Sequence, residues 1–350
     1  MNESRADLGD YLKVFASTAV IMQPIIAWGI QAYPQDQAFQ IFAGMTINLV
    51  KFTAPAFIYG ILFSTTRQWL KQPISYRTYL KRSWWQLFLP TIIWTLLYML
   101  VYPGLVQHGG YGNWWSYLSK FVNGNAAPHL WYNTMMLQFV IFMPVFWSLT
   151  RFGKPAKRAF WLGNSSLLFQ LVWYVVCSVL IFTPANKQFY WVDRLGVSFL
   201  VYGVLGTLSA VHWETIRKLF AKYWLISFMA AIIAYYLTNG ELACRHFPVA
   251  IQAASYYKPS MMLYDLAVIG IIGALAVNVK SPKINALVHN LSGIAYLAYL
   301  SNVFWSRYLW ELLQQYFIPQ AAVILCYLAS WVLSFLSAYL TKKAAKRIRS

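Results

Sequence analysis

Long apolar segments alternate with short polar connections along the whole chain. A transmembrane helix needs about 20 apolar residues, and about ten segments approach or exceed that length. They cover residues 11–33, 40–66, 84–103, 130–150, 160–183, 195–212, 223–239, 260–279, 289–310 and 317–341. The second segment is longer than a bilayer core requires, so we expect an interfacial or tilted piece near residues 38–50. The pattern predicts an all-α integral membrane protein with about ten transmembrane helices, forming a single domain over residues 1–350.

Composition supports a membrane protein, and the distribution of charge predicts its orientation in the membrane. Hydrophobic residues make up 59% of the chain and charged residues only 11%, which is too apolar for a water-soluble domain of 350 residues. Most of the 28 lysines and arginines fall in alternate connections and near the two termini, and cytoplasmic loops of membrane proteins are enriched in these residues. We therefore expect both termini to be cytoplasmic. The same distribution accounts for the net charge of +19 without a nucleic-acid partner.

The cysteines give no sign of a metal site. Cys177, Cys244 and Cys326 are widely separated and form no CxxC or zinc-binding spacing. Two of them lie in apolar segments, where a cysteine usually serves as a small packing residue. We expect no metal.

Six stretches resemble, in order, the helices of one membrane-protein family. They read DYLKVFASTAV, FTAPAFIYGILFSTT, YRTYLKRSWWQLFLPTIIW, HLWYNTMMLQFVIF, FLVYGVLGTLSAVHWETIRKL and LSGIAYLAYLSNVFW. The fourth is similar to an HLWF-type motif. Together they resemble the family-3 membrane acyltransferases, and most of all the polysaccharide branch, the intercellular adhesion protein C proteins of poly-N-acetylglucosamine biofilm loci. The resemblance runs through most of the chain.

This resemblance implies a chemistry whose usual base is missing here. The family transfers acyl groups to hydroxyls of surface glycans, with an arginine in the first helix and a histidine eleven residues later. In this chain Lys13 stands at the arginine position and Pro24 at the histidine position. A histidine of the penultimate helix is likewise replaced, by Ser301 and Asn302. A sugar hydroxyl is a poor nucleophile until a base takes its proton, so any base must come from elsewhere.

Three basic residues are candidates for binding the donor. Lys13 enters the first helix, and Arg77 and Arg82 precede the third helix in a connection that is also basic in the family. Cations there could bind the phosphates of an acyl-coenzyme A donor. The alternative is that Lys13 snorkels to the interface and that the arginines belong to a solvated, orientation-setting loop.

His129 is our candidate catalytic base. It opens the HLWY motif, and a neutral imidazole is the side chain best suited to accept a proton near neutral pH. The alternative is a histidine that only caps the start of its helix. We expect the histidines of the cytoplasmic connections, including His289, to be solvated.

Polar and aromatic residues in the outer half of the membrane form the candidate acceptor cavity. Ionisable side chains there are costly and are functional candidates by default. The set consists of Gln23, Lys51, Trp131, Asp265, Asn302 and Arg307. The alternative for the charged members is mutual ion pairing between helices, with Lys51 and Asp265 a suitable pair in depth.

Two functions follow from these observations. The first is a plasma-membrane O-acyltransferase that moves an acetyl or succinyl group from a cytoplasmic acyl-coenzyme A to a hydroxyl of a cell-surface polysaccharide, such as a cell-wall or biofilm exopolysaccharide, or of a lipid-linked glycan. The second is a catalytically altered relative that binds or exports an exopolysaccharide, an interpretation that Pro24 favours. In both cases the expected partners are membrane lipids, the glycan and a polysaccharide synthase.

The charge distribution makes a direct prediction about orientation. A reporter enzyme fused after Ser350 that is active only in the cytoplasm should be active, because the basic residues around 342–349 favour the cytoplasmic side. A matched fusion in the aromatic connection 110–118 should be inactive. Activity of the second fusion, with an inactive first one, would contradict the predicted orientation.

Overall fold

Every regular element that the structure describes is a helix, which confirms the all-α prediction. The computed structural model describes residues 6–181, 184–243, 249 and 254–349, so Cys244 lies outside the described residues. The helices of the first half are α1 (Leu8–Val20), α2 (Met22–Ala32), α3 (Gln37–Leu49), α4 (Thr53–Lys71), α5 (Tyr76–Ser83), α6 (Leu89–Val101), α7 (Trp114–Asn123), α8 (Trp131–Ile141) and α9 (Met143–Phe152).

The second half continues the same architecture. Its helices are α10 (Ala156–Val176), α11 (Leu200–Val211), α12 (Trp213–Lys222), α13 (Trp224–Ala243), α14 (Pro259–Asn278), α15 (Pro282–Ser292), α16 (Ala295–Leu313) and α17 (Pro319–Arg349). Short π-helical turns occupy Trp84–Phe88 and Cys177–Ile181, and 3₁₀ segments occupy Pro103–Leu105, Pro184–Arg194 and Gly196–Phe199.

Several of these helices are suited to cross a membrane. Seven helical segments among the described residues are long and apolar enough, and the number rises to nine if each of two bent pairs is one span. The pairs are α8 with α9, bent by 53°, and α11 with α12, bent by 105°. α16 has 19 residues but is not among the seven. The chain is thus a multi-span membrane protein, and the count of ten and the cytoplasmic termini stay predictions.

The first predicted span is built from two helices, and local chemistry explains both the start and the break. Asp7 caps α1 by accepting a hydrogen bond from the backbone N–H of Asp10, whose own side chain accepts from the Asp7 N–H. The break falls at Ile21, between α1 and α2. Pro24 follows within one turn and cannot donate a backbone hydrogen bond to Val20. The break therefore lies where Pro24 removes a helical hydrogen bond.

The second predicted span is also divided. The piece near 38–50, expected to be interfacial or tilted, forms the separate helix α3, and α4 begins after a short break. The two are nevertheless continuous enough to count as one apolar segment of 35 residues. Lys51 therefore lies in the junction between α3 and α4, outside both helices.

Helix α4 lies at the centre of the bundle, with α1 on one side and α11 on another. Glycines permit backbones to approach closely at both contacts. A Cβ atom on Gly9 would lie 2.6 Å from the carbonyl oxygen of Gly60, and one on Gly206 would lie 2.5 Å from that of Tyr59. Since neither distance leaves room for a carbon atom, these contacts fix where α4 stands relative to its neighbours.

The contact at Gly206 gives a prediction about stability. Gly206→Ala should lower the free energy of unfolding by about 1–3 kcal/mol, because its methyl group must push α11 away from the α4 backbone. Gly240→Ala is the matched control, since Gly240 is exposed on α13 and a Cβ there meets nothing within 4 Å. The control should be neutral or stabilising by up to about 1 kcal/mol. Melting temperatures in detergent check this, and equal values for both variants would contradict the close α4–α11 contact.

Candidate functional site

A small cavity brings together several residues that the sequence singled out. Its volume is about 190 Å³, and Gln23, Lys51, His129 and Trp131 all line it. Pro24 lies in the same wall. Pro24, where the resemblance implies a histidine, and His129, the candidate base, therefore line one cavity. Helix α2, the α3–α4 junction and the start of α8 each contribute one part of this wall.

His129 is held in a defined orientation inside this cavity. Its side chain is buried, and Nε2 lies 3.3 Å from the carbonyl oxygen of Leu300. That contact assigns the proton to Nε2, which leaves a lone pair on Nδ1, and Nδ1 has no hydrogen-bond partner among the described residues. Tyr299 donates its hydroxyl proton to the backbone carbonyl of His129, so both the ring and the backbone are fixed.

Burial also sets the charge of His129. Loss of solvent lowers the pKa of its imidazole to about 3, and the hydrogen bond to the Leu300 carbonyl opposes this shift only in part. The imidazole is therefore neutral at physiological pH. It is always in the proton-accepting form, although a low pKa makes it a weak base.

Gln23 and Lys51 have different roles in the wall. The Gln23 side-chain amide donates to the Val50 carbonyl and to the Thr53 hydroxyl, each at 2.9 Å. It thereby ties α2 to the α3–α4 junction that carries Lys51. The Lys51 ammonium lies 4.5 Å from the centre of the Tyr256 ring, a cation–π contact. The cavity thus combines one cation with aromatic faces.

Three other predicted acceptor residues do not line this cavity. Asp265 is fully buried and accepts a hydrogen bond from the Tyr202 hydroxyl at 2.9 Å. Its charge interacts with that of Lys51, but it does not line the cavity. Asn302 is also buried, and neither atom of its amide has a partner among the described residues. Arg307 pairs with Glu311 at 2.7 Å. Their assignment to an acceptor site remains a prediction.

A second, larger cavity of about 970 Å³ opens on the N-terminal end of α1. Lys13 lines it together with Lys342, and Trp94 of α6 and Tyr296 and Tyr299 of α16 add aromatic rings to its wall. Arg77 and Arg82 are exposed on α5 and are not among its lining residues. Of the three donor-binding candidates, the structure therefore places one in the cavity wall.

The large cavity contains a carboxylate–histidine pair that the sequence did not indicate. Nδ1 of His289 lies 3.0 Å from Asp10, whose other oxygen accepts from Ser292 at 2.6 Å and lies 3.3 Å from the Lys13 ammonium. His289 was expected to be solvated. It is half-exposed but held by Asp10, because α15 packs against α1. Residues 279 positions apart leave no spacing signal in the sequence.

The two cavities meet at three aromatic rings. Phe57, Tyr132 and Tyr299 line both of them. The ring centres of Phe57 and Tyr132 are 5.5 Å apart, those of Phe57 and Tyr299 6.0 Å, and those of Tyr132 and Tyr299 5.5 Å. We call these three side chains the aromatic partition. The aromatic partition is therefore the part of the wall that the two cavities share.

Comparison with known proteins yields one match. The model of the acyltransferase 3 family, described as an acyltransferase domain, matches residues 10–341. No curated protein and no solved structure matches the chain. The match includes the aromatic partition and the residues that line both cavities, except Lys342 and Ala345 of the large cavity.

The Asp10 network gives a prediction about stability. Asp10→Asn keeps the shape of the side chain but removes the charge that Lys13, His289 and Ser292 contact, so it should cost about 2 kcal/mol of unfolding free energy. Glu214→Gln is the control, because Glu214 pairs with Arg217 on an exposed surface and such pairs contribute less than about 1 kcal/mol. Melting temperatures measured at pH 7 check this. An Asp10 variant no less stable than the control would show that the network is not structural.

Proposed function

This chain belongs to the acyltransferase 3 family, and from that premise we propose that it is a plasma-membrane O-acyltransferase. It moves an acetyl or succinyl group from an acyl-coenzyme A to a hydroxyl of a cell-surface polysaccharide or lipid-linked glycan. The observation that carries this proposal is the pair of cavities that meet at the aromatic partition. A transfer between substrates from opposite sides of a membrane requires two binding spaces that end at a common point.

The large cavity is the proposed donor site. Coenzyme A carries several phosphate charges, and Lys13 and Lys342 supply cations in the cavity wall. Arg77 and Arg82, exposed on α5, add to the positive field that attracts the donor without contacting it in the cavity. The positive-inside pattern favours a cytoplasmic position for this end of α1, the side on which acyl-coenzyme A is made.

The small cavity is the proposed acceptor site. Trp131 and Tyr256 present aromatic faces, which suit stacking on a sugar ring. Lys51, Gln23 and Thr53, which also line this cavity, provide polar contacts for the hydroxyls of the sugar. The likeness of the sequence to the polysaccharide branch of the family supports a glycan as the acceptor and a polysaccharide synthase as a functional partner.

His129 is the proposed general base. Its free Nδ1 accepts the proton of the acceptor hydroxyl as the oxygen attacks the thioester carbonyl carbon. The carbon–sulfur bond then breaks, and the proton passes from His129 to the leaving thiolate, so that the products are an ester and free coenzyme A. His129 and Pro24 line the same cavity. His129 could therefore supply the base that the resemblance places at the position of Pro24.

Glycan binding or export without acyl transfer is the second candidate function. It is favoured by Pro24, which cannot accept a proton, and by the low basicity of buried His129. The experiment that separates the two uses membranes containing the protein, labelled acetyl- or succinyl-coenzyme A and surface glycan. Label in the glycan supports the acyltransferase. No transfer and no coenzyme A release, combined with loss of surface polysaccharide on deletion of the gene, supports export.

Replacement of His129 tests the proposed base. His129→Ala should lower the rate of acyl transfer by roughly 100-fold or more, the usual loss for a general base, while membrane expression stays normal. In the wild-type protein the rate should stay flat from pH 8 to pH 5, because the lowered pKa of about 3 keeps the imidazole neutral over that range. A solvated histidine would instead lose the proton-accepting form as pH falls through about 6.5.

The matched test uses the position of the missing histidine. Pro24→His, introduced into the His129→Ala variant, should restore part of the activity because both side chains line the same cavity. Its rate should then fall as pH decreases if the new imidazole is less buried. Full activity of His129→Ala alone would remove His129 from the mechanism and leave the acyltransferase proposal standing.

A further inference from the structure

We propose that Tyr132 is a further catalytic residue, whose hydroxyl donates a hydrogen bond to the carbonyl oxygen of the acyl group where the two cavities meet. This inference rests on the proposed acyltransferase function. It adds the group that stabilises negative charge during the transfer, which the general base alone does not supply.

The position of Tyr132 is the first argument. The reacting carbonyl must be reached by the donor from the large cavity and by the acceptor hydroxyl from the small one. Tyr132 lines both cavities, and His129, the proposed base, lines the small cavity three residues earlier in the chain. A group at the aromatic partition is therefore next to the point at which both substrates can meet.

The free hydroxyl of Tyr132 is the second argument. Of the three partition residues, Phe57 has no donor and Tyr299 already donates to the His129 carbonyl. Tyr132 is 5% exposed, and its hydroxyl has no hydrogen-bond partner among the described residues. Buried polar groups are nearly always paired, and an unpaired one is unfavourable unless it serves another purpose. A substrate carbonyl would complete this hydrogen bond.

Packing alone does not require the hydroxyl of Tyr132. Phenylalanine would fill the same space in the aromatic partition without a donor. The chain therefore carries, where the two cavities meet, a polar group that packing does not explain.

The chemistry of the step follows from these positions. As the acceptor oxygen attacks, its proton moves to Nδ1 of His129, and the carbonyl oxygen becomes an oxyanion that accepts the hydrogen bond from Tyr132. Collapse of the intermediate reforms the carbonyl and breaks the carbon–sulfur bond, and His129 returns its proton to the thiolate. Tyr132 keeps its proton throughout and acts only as a donor, as in an oxyanion hole.

Tyr132→Phe is the decisive variant, because it removes one oxygen atom and keeps the ring. We expect kcat for labelled acetyl-coenzyme A to fall about 100-fold, the scale for loss of one oxyanion donor, with little change in KM. We also expect the melting temperature to stay equal or rise, because an unpaired buried hydroxyl is removed. A merely structural tyrosine would not combine lower kcat with undiminished stability.

Tyr59→Phe is the matched control. Tyr59 is buried and its hydroxyl bonds to Ser209, but it lines neither cavity. This variant should lose stability and keep its kcat per folded molecule. Wild-type kcat in Tyr132→Phe would overturn the role of the hydroxyl while leaving the acyltransferase proposal intact. Absence of both transfer and coenzyme A release in the wild-type protein would instead refute the function on which this inference rests.

Discussion

The hydrocarbon interior of a membrane offers no hydrogen-bond partners, and the organisation of this protein follows from that constraint. Backbone groups are satisfied within helices, and polar side chains gather between helices, away from lipid. The central position of α4, held by glycine contacts to α1 and α11, leaves such space on two sides. The two cavities are where the bundle collects the polar groups that lipid excludes.

The first helical segment connects the two cavities. α1 carries Asp10 and Lys13 into the large cavity, and α2 carries Gln23 and Pro24 into the small one. The break between them, at Ile21, lies beside Val20, Gln23 and Pro24, which line the small cavity. Pro24 therefore has a structural role, because it removes a backbone hydrogen bond near the break and also forms part of the wall of the small cavity.

Two histidines occupy contrasting environments in this arrangement. His129 is buried, neutral and without a carboxylate, whereas His289 is half-exposed and in contact with Asp10. A carboxylate that contacts an imidazole nitrogen holds the ring in one tautomer. Asp10 therefore orients His289, whereas the backbone carbonyl of Leu300 orients His129. Because burial makes His129 a weak base, a hydroxyl at Tyr132 that stabilises the oxyanion matters for the proposed transfer.

The sequence by itself determined the membrane class, the helices and the family, because apolar length and motif order are local properties. It also selected Gln23, Lys51, His129 and Trp131, which line one cavity, each at or next to a helix end. Only the tertiary structure decided that Asp10 contacts His289, that Arg307 pairs with Glu311 away from the cavity, and that Tyr132 faces both cavities. Those outcomes depend on which helix faces pack together, and that choice is made by contacts between residues far apart in the chain.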